Sequence, residues 1–426
     1  MKLMEKQAER DIWSIIIDMD EKLIKSVKER IEPRCPYFGV CGGCQLQDIP
    51  YPLQLELKWQ YVKDCLNAQG LADVKIEPVI GMDEPWFYRN KIQFPIRSQN
   101  GRLQMGYFKP RSHEVVNVKE CYIQDPFLTE VAQIAHKVFE RRGLSAYDEK
   151  TGQGVLRHFI GRSAFATKEL LLGIVVNGRG LPAGYTVADE IKRQERLMHR
   201  QVARHQDYPR YEEKRRIVGI VQNINNFKNN VILGDKYNSL FGGTFILDKL
   251  GKYTFKVQLP SFYQVNPVQA VKLYDTVRDL AALTGRELVI DAFAGIGPIA
   301  FWLSTKAREV IGIEECEPAV KDALENIKLN NFVKITMKLG KVEHLLTKKA
   351  DVVVLDPPRG GCTEKVLMGV ARSEAKKIMY VSCNPETLAR DIKLLEQKGY
   401  KTTVVQPVDM FPHTSHIESV AVLVKT

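Results

Sequence analysis

No run of about 18 or more uninterrupted apolar residues occurs in this 426-residue chain, which excludes membrane-spanning helices. The start, Met1-Lys2-Leu3-Met4-Glu5-Lys6, lacks the apolar stretch of a secretion signal, so a cytoplasmic protein is expected. Cysteine is sparse. The eight, at 35, 41, 44, 65, 121, 316, 362 and 383, read as thiols, metal ligands or a nucleophile rather than disulfides. Acidic residues are in deficit, 51 Asp+Glu against 62 Lys+Arg, and the net charge of +11 points to a polyanionic partner. The length exceeds what one hydrophobic core usually organises, which implies two or three domains.

Residues 3–31 carry apolar positions at helical spacing (Trp13, Ile16, Ile17, Leu23, Ile24, Val27, Ile31) and read as one or two amphipathic helices. Three cysteines cluster at 35–44. From about 75 to 260 short β-like runs such as Lys91–Ile96 and Leu170–Val176, punctuated by Gly, Asn and Pro, indicate an α+β domain. Within it, 191–217 is strongly basic and reads as a solvated helix and loop, with RNA contact as the second reading. Beyond about 267, helices alternate with apolar strands (288–290, 310–313, 352–355, 378–381), the pattern of a parallel sheet wrapped by helices. The last run, Val420–Val424, follows the β-like run 402–406 without an intervening helix, which predicts antiparallel pairing at the sheet edge.

Asp291-Ala292-Phe293-Ala294-Gly295-Ile296-Gly297-Pro298 joins a strand to a helix, where an α/β sheet places its ligand. Glu314 ends the next strand 23 residues after Asp291, the position from which a carboxylate grips ribose hydroxyls. The third glycine of a dinucleotide loop is missing, and a second acidic element, Asp356-Pro357-Pro358-Arg359, ends the fourth strand. Both features favour S-adenosylmethionine over NAD. Taken singly, Asp291 and Glu314 read equally well as a turn cap and a surface charge.

Cys383 follows the strand 378–382 at the same carboxyl edge as Asp356. A thiolate there has a use. C5 of uracil is a poor nucleophile, and addition of sulfur at C6 converts it into an enolate able to take a methyl group. A carboxylate must then remove the C5 proton so that the thiol can leave. Glu418, just before the final strand, is the candidate. Cys362 and Cys65 read as structural thiols.

These residues resemble the RNA 5-methyluridine methyltransferases, most closely the iron–sulfur subgroup that includes 23S ribosomal RNA uracil-C5 enzymes. The motifs that carry the resemblance are Ser261–Asn266, Asp291–Gly297, Asp356–Gly361, Ser382–Asp391 and Phe411–Glu418; with the cysteine cluster it spans roughly 35–425. The resemblance implies Cys383 as nucleophile and Glu418 as proton acceptor. It also implies Gln264, Phe293, Glu314 and Asp356 as cofactor-binding positions, Asp356 and Gln264 beside the target uracil, and Arg89 on the RNA. It implies four ligands for a [4Fe-4S] cluster in Cys35, Cys41, Cys44 and Cys121; spacing alone leaves zinc equally open.

The implied fold is α/β: a helical segment (1–34), a central α+β RNA-binding domain with the iron–sulfur cysteines (35–260), and a class I, Rossmann-like S-adenosylmethionine methyltransferase domain (261–426). The chain departs from the family in having only 34 residues before Cys35, so no N-terminal RNA-binding β-barrel is expected, and in Pro298, where some relatives have Asn. The expected activity is methyl transfer to a uridine of 23S ribosomal RNA. The alternatives are the T-loop uridine of transfer RNA, a non-catalytic RNA-binding or folding protein, and a cytosine-C5 enzyme, against which Arg359 stands where that enzyme's nucleophilic Cys would fall. No obligate protein partner is inferred.

Overall fold

The computed structural model describes residues 19, 21–203, 208, 213–346 and 349–426. Of the expected N-terminal helices, Trp13, Ile16 and Ile17 lie outside the described residues. A helix is present at Glu21–Ser26, but 27–34 is not helical, contrary to the periodicity. Tertiary bonds take over there: Ile31 N–H donates to Asp48 O at 2.9 Å, and the Arg30 guanidinium reaches Asp48 at 2.8 Å. Pro33 lacks the N–H a continuing helix needs.

After a two-residue strand β1 (Lys75–Ile76) comes a seven-stranded sheet. Its strands are β2 (Lys91–Gln99), β3 (Arg102–Phe108), β4 (Val115–Asn117), β5 (Leu156–Ser163), β6 (Glu169–Val176), β7 (Arg216–Ile224) and β8 (Lys236–Gly242). The order is β4-β3-β2-β5-β6-β7-β8, antiparallel except for β6 beside β7. Helix Pro126–Arg141 lays Phe127, Val131, Ile134 and Val138 against it, in one core with Phe94, Phe159 and Ile220. The basic stretch 191–217 is only partly described, and among its described cations Lys192, Arg193 and Arg216 form ion pairs near the surface with Glu195, Asp189 and Glu169. Arg215 departs from both sequence readings. It is wholly buried and pairs at 3.2 Å with Asp125, the carboxylate that caps helix Pro126–Arg141.

A hairpin, β9 (Phe245–Leu250) and β10 (Tyr253–Gln258), leads to the second sheet. Here β11 (Leu288–Ala292), β12 (Glu309–Glu314), β13 (Ile335–Leu339), β14 (Val352–Leu355) and β15 (Lys377–Ser382) run parallel, and β16 (Tyr400–Val408) and β17 (Glu418–Lys425) complete it in the order β1-β16-β17-β15-β14-β11-β12-β13. Side chains alternate between two cores: Val354, Met379, Val420 and Val422 enter one, and Val353, Ile378, Ala421 and Leu423 the other. Helix Tyr51–Ala68 contributes Leu57, Tyr61, Val62 and Leu66 to the second core, so a helix from the N-terminal part of the chain covers this sheet.

The prediction for the last strand is half right. β17 is antiparallel, but it lies inside the sheet, between β15 and β16, and β1 extends the sheet beyond β16. A run buried on both faces has to be interior. Among the described residues no helix is long and apolar enough to cross a membrane.

Candidate active site

The parallel strands all end at one edge. At the end of β11 the backbone turns sharply: Phe293 and Ala294 both donate to Ile313 O, at 3.0 and 2.9 Å, and Phe293 holds a φ of 78°. A left-handed conformation at a non-glycine residue marks strain, which the surrounding structure has to hold in place. Gly297 (φ 92°) opens helix Pro298–Ser304; a Cβ there would stand 3.0 Å from the Phe301 ring. Glu314, at the tip of β12, accepts N–H bonds from Gly295 (3.0 Å) and Cys316 (2.8 Å). One bond to each oxygen fixes the carboxylate and leaves lone pairs for further donors.

Beside this loop lies a group of carboxyls. Asp291 is wholly buried; burial first, then the neighbouring Asp356, pushes it up to about 8. Desolvation alone pushes Asp356 up to about 7. Glu418, 5% exposed, is raised well above the carboxylate range by burial and then by Asp356, with Arg359 pulling the other way. Tyr274 joins them: its phenol is raised by burial, by Asp356 and by Glu418, with Gln264 pulling the other way. Asp291, Asp356, Glu418, Tyr274 and Gln264 thus act on one another.

Cys383, partly buried, sits between β15 and helix Pro385–Glu396. The β15–β17 ladder ends with Ser382 opposite Ser419. The residues just beyond that pair are Cys383 and Glu418, so the two come to the same end of the ladder. The flanking loops are tied together. Asn384 caps the helix through Glu386 N–H (3.0 Å) and donates to Arg359 O (3.3 Å); Asp391 accepts Cys362 N–H (2.7 Å) and Tyr380 OH (2.6 Å). The Ser382–Asp391 motif therefore fixes the Asp356–Gly361 loop in place.

A cavity of about 500 Å³ opens between the two sheets. Lys91, Gln93, Pro95 and Arg97, alternate residues of β2, form one wall; Arg89, Arg157, Tyr107, Phe108 and, from the second sheet's side, Arg359, Phe411 and His416 form others. Burial, with Arg162 and Arg89 nearby, pushes the Lys91 ammonium down to about 7.

Cys35, Cys41, Cys44 and Cys121 line a smaller cavity with Tyr37, Phe38 and Tyr107. Burial raises each thiol, Cys41 to about 11 and Cys121 to about 12, and the four influence one another electrostatically. Among the described residues no three His, Cys, Asp or Glu side chains are grouped to hold a metal ion. Cys65 packs partly against the second core. Cys362 is buried, with Tyr380 OH 3.6 Å from its sulfur.

Sequence reasoning missed Tyr274 and the β2 face. On helix Pro267–Ala281, Tyr274 shares its side with Ala270, Leu273 and Val277, and an aromatic on an apolar helical face reads as core. The β2 alternation of Lys91, Gln93 and Arg97 was available in the sequence as a polar strand face.

A model of the tRNA (Uracil-5-)-methyltransferase family matches residues 343–426. Over 412 residues the chain is 40% identical to an uncharacterized RNA methyltransferase of Halalkalibacterium halodurans, spanning 94% of this chain and 85% of that protein. It is 39% identical over 407 residues to another from Clostridium tetani, spanning 94% and 84%. Its fold is similar to that of Pyrococcus abyssi tRNA (uracil-54, C5)-methyltransferase in complex with S-adenosyl-L-homocysteine, with a TM-score of 0.71 and 26% identity, over 91% of this chain and 86% of that one. With relatives this similar over nearly their whole length, the chain belongs to the RNA 5-methyluridine methyltransferase family.

Proposed function

We propose that the chain transfers the methyl group of S-adenosylmethionine to C5 of a uridine in RNA, with 261–426 as the catalytic unit and 35–260 as the RNA-binding unit. The observation that carries this reading is the β15–β17 register, which ends with Ser382 opposite Ser419 and so brings the residues just beyond that pair, Cys383 and Glu418, to the edge that holds Asp356 and where Glu314 ends β12. The cofactor's residues fit: Glu314, held by two backbone N–H groups, suits ribose hydroxyls, and Phe293, Gln264 and Asp356 surround the same edge. Bound there, the cofactor supplies an electrophilic methyl.

The chain's own groups do the rest. The Cys383 sulfur adds to C6 of uracil, the C5–C6 π electrons pass into a C4 enolate, and C5 then takes the methyl. Glu418 accepts the C5 proton, the C5–C6 double bond re-forms and the sulfur leaves. Burial makes Glu418 a stronger base, while Arg359 favours its ionised form. Arg89, Lys91 and Arg157, in the cavity with Tyr107 and Phe411, suit phosphates and unstacked bases. Four thiols line one cavity, the number of thiolates a [4Fe-4S] cluster takes, although as placed no three of them are grouped to hold a metal ion. That cluster is the reading we adopt for Cys35, Cys41, Cys44 and Cys121.

For the target, ribosomal RNA is the reading from the sequence, and the cytoplasm the expected compartment. A transfer RNA uridine is the second reading, favoured by the name of the similar P. abyssi enzyme. Mass mapping of 5-methyluridine in 23S ribosomal and transfer RNA, from cells with and without the gene, separates the two. No change in either RNA would refute the function.

A further inference from the structure

Between β16 and β17 the chain runs through Asp409-Met410-Phe411-Pro412-His413-Thr414-Ser415-His416-Ile417, and Glu418 follows. Five consecutive carbonyls of this loop are held from outside it. Asp409 O accepts from the Gln269 side chain (3.0 Å), Met410 O from Asn266 (3.1 Å), Phe411 O from Lys58 (3.0 Å) and Pro412 O from Tyr88 (3.0 Å). His413 O accepts the N–H groups of Gln45 and Leu46 at 3.1 and 3.0 Å. A surface connection would leave such groups to water.

Side chains add to the hold. Lys58 and Asp409 form an ion pair at 2.6 Å with neither side chain exposed, and Tyr51 OH donates to Asp409 at 2.9 Å. Gln54 accepts His413 N–H at 3.0 Å, and Trp86 stacks on the His413 ring with centroids 3.7 Å apart. Tyr51, Gln54 and Lys58 share one face of helix Tyr51–Ala68, at spacings of three and four. An ammonium this deeply buried is costly unless paired. Here it is paired, and also turned onto a backbone carbonyl of the loop.

We propose that Lys58 and Tyr88 are positioning residues for the proton-removal step: they fix the path of the 409–417 loop and thereby the place of Glu418 against Cys383. The proposal rests on the roles given to Cys383 and Glu418 above. Displacing Glu418 leaves sulfur addition and methyl transfer in place and slows only the loss of the C5 proton. The species with sulfur on C6, and both methyl and hydrogen on C5, then accumulates as a protein–RNA adduct that survives SDS.

The test uses full-length Lys58→Met and Tyr88→Phe, with Glu418→Gln as reference, S-adenosylmethionine, and in vitro transcribed 23S ribosomal RNA or transfer RNA. S-adenosylhomocysteine affinity, kcat, KM for RNA and the adduct fraction are measured. Expected are unchanged S-adenosylhomocysteine binding and KM, kcat lowered about tenfold or more in Lys58→Met and less in Tyr88→Phe, and adduct in both. If Lys58→Met fails to bind S-adenosylhomocysteine, Tyr88→Phe decides alone, since it removes one hydroxyl. Adduct in Glu418→Gln but in neither of the other two overturns the positioning role only. No adduct in Glu418→Gln overturns the assignment of Glu418 and the positioning role with it.

Discussion

Replacing Asp291 by Asn should flatten the pH dependence of stability in the ligand-free protein. Asp291 is wholly buried, and burial and then Asp356 raise it from 3.8 to about 8. Between those values the folded state keeps a proton that the unfolded chain releases, so stability falls as pH rises. The cost is absent below about pH 4 and complete above about pH 8, at about 1.4 kcal/mol per pH unit and at most about 5–6 kcal/mol in all. Asp356, raised to about 7, contributes with the same sign up to that pH. A lowering of about 3–6 °C in Tm per pH unit is the corresponding reading for a unit of 150–250 residues. Thermal unfolding of wild type and Asp291→Asn across pH 5–8, without cofactor, measures it. The variant's slope should be shallower by about 1.4 kcal/mol per unit. Parallel slopes would mean that Asp291 is ionised in the folded protein, and the electrostatic account of the site would be wrong.

Cys383→Ala should abolish methyl transfer while RNA affinity stays near wild type; residual turnover on a target RNA would remove the covalent step. Lys91→Gln and Arg89→Gln should weaken RNA binding and each lower the salt slope of log Kd by about one, measured by titration at several salt concentrations; an unchanged slope would take these residues off the phosphates. Protein purified anaerobically should be brown with four irons per chain, and Cys121→Ser should lose the colour; a single tightly held zinc would refute the cluster. Arg215→Met, which strands buried Asp125, should cost about 3–5 kcal/mol in denaturant unfolding; a change below about 1 kcal/mol would mean that the buried pair contributes little to stability.

What the sequence disclosed follows from burial. The parallel strands, covered on both faces, appear as unbroken apolar runs such as Val352–Leu355, so the residues just after them, Asp356 and Cys383, could be assigned to one sheet edge. Pairs formed across the fold left no such mark. Lys58 and Asp409 are 351 residues apart, and in the sequence each is an ordinary surface charge. Tyr274 was hidden for the opposite reason, because its helix face is apolar. The cavity between the sheets gathers β2 and loops from both parts of the chain, and no local pattern predicts that convergence.

The misplaced strand explains the most about the site. In a parallel sheet only the residues that follow strands reach the carboxyl edge, so a residue that begins a strand is normally at the far side. β17 spans eight residues, so a parallel β17 would carry Glu418 about 25 Å from Cys383. Running antiparallel, β17 begins where its neighbour β15 ends, and Glu418 comes to the same edge as Cys383, each just beyond the Ser382–Ser419 pair. An edge position would have achieved the same register with one neighbour. Inserted between β15 and β16, β17 is bonded on both sides, and its first residue, Glu418, pairs with Val408 of β16. Glu418 is therefore fixed by its pairing with Val408, by the Ser382–Ser419 pair beside it and by the loop that Lys58 and Tyr88 hold, which is the restraint that the proton acceptor proposed above would need to meet one carbon of one base.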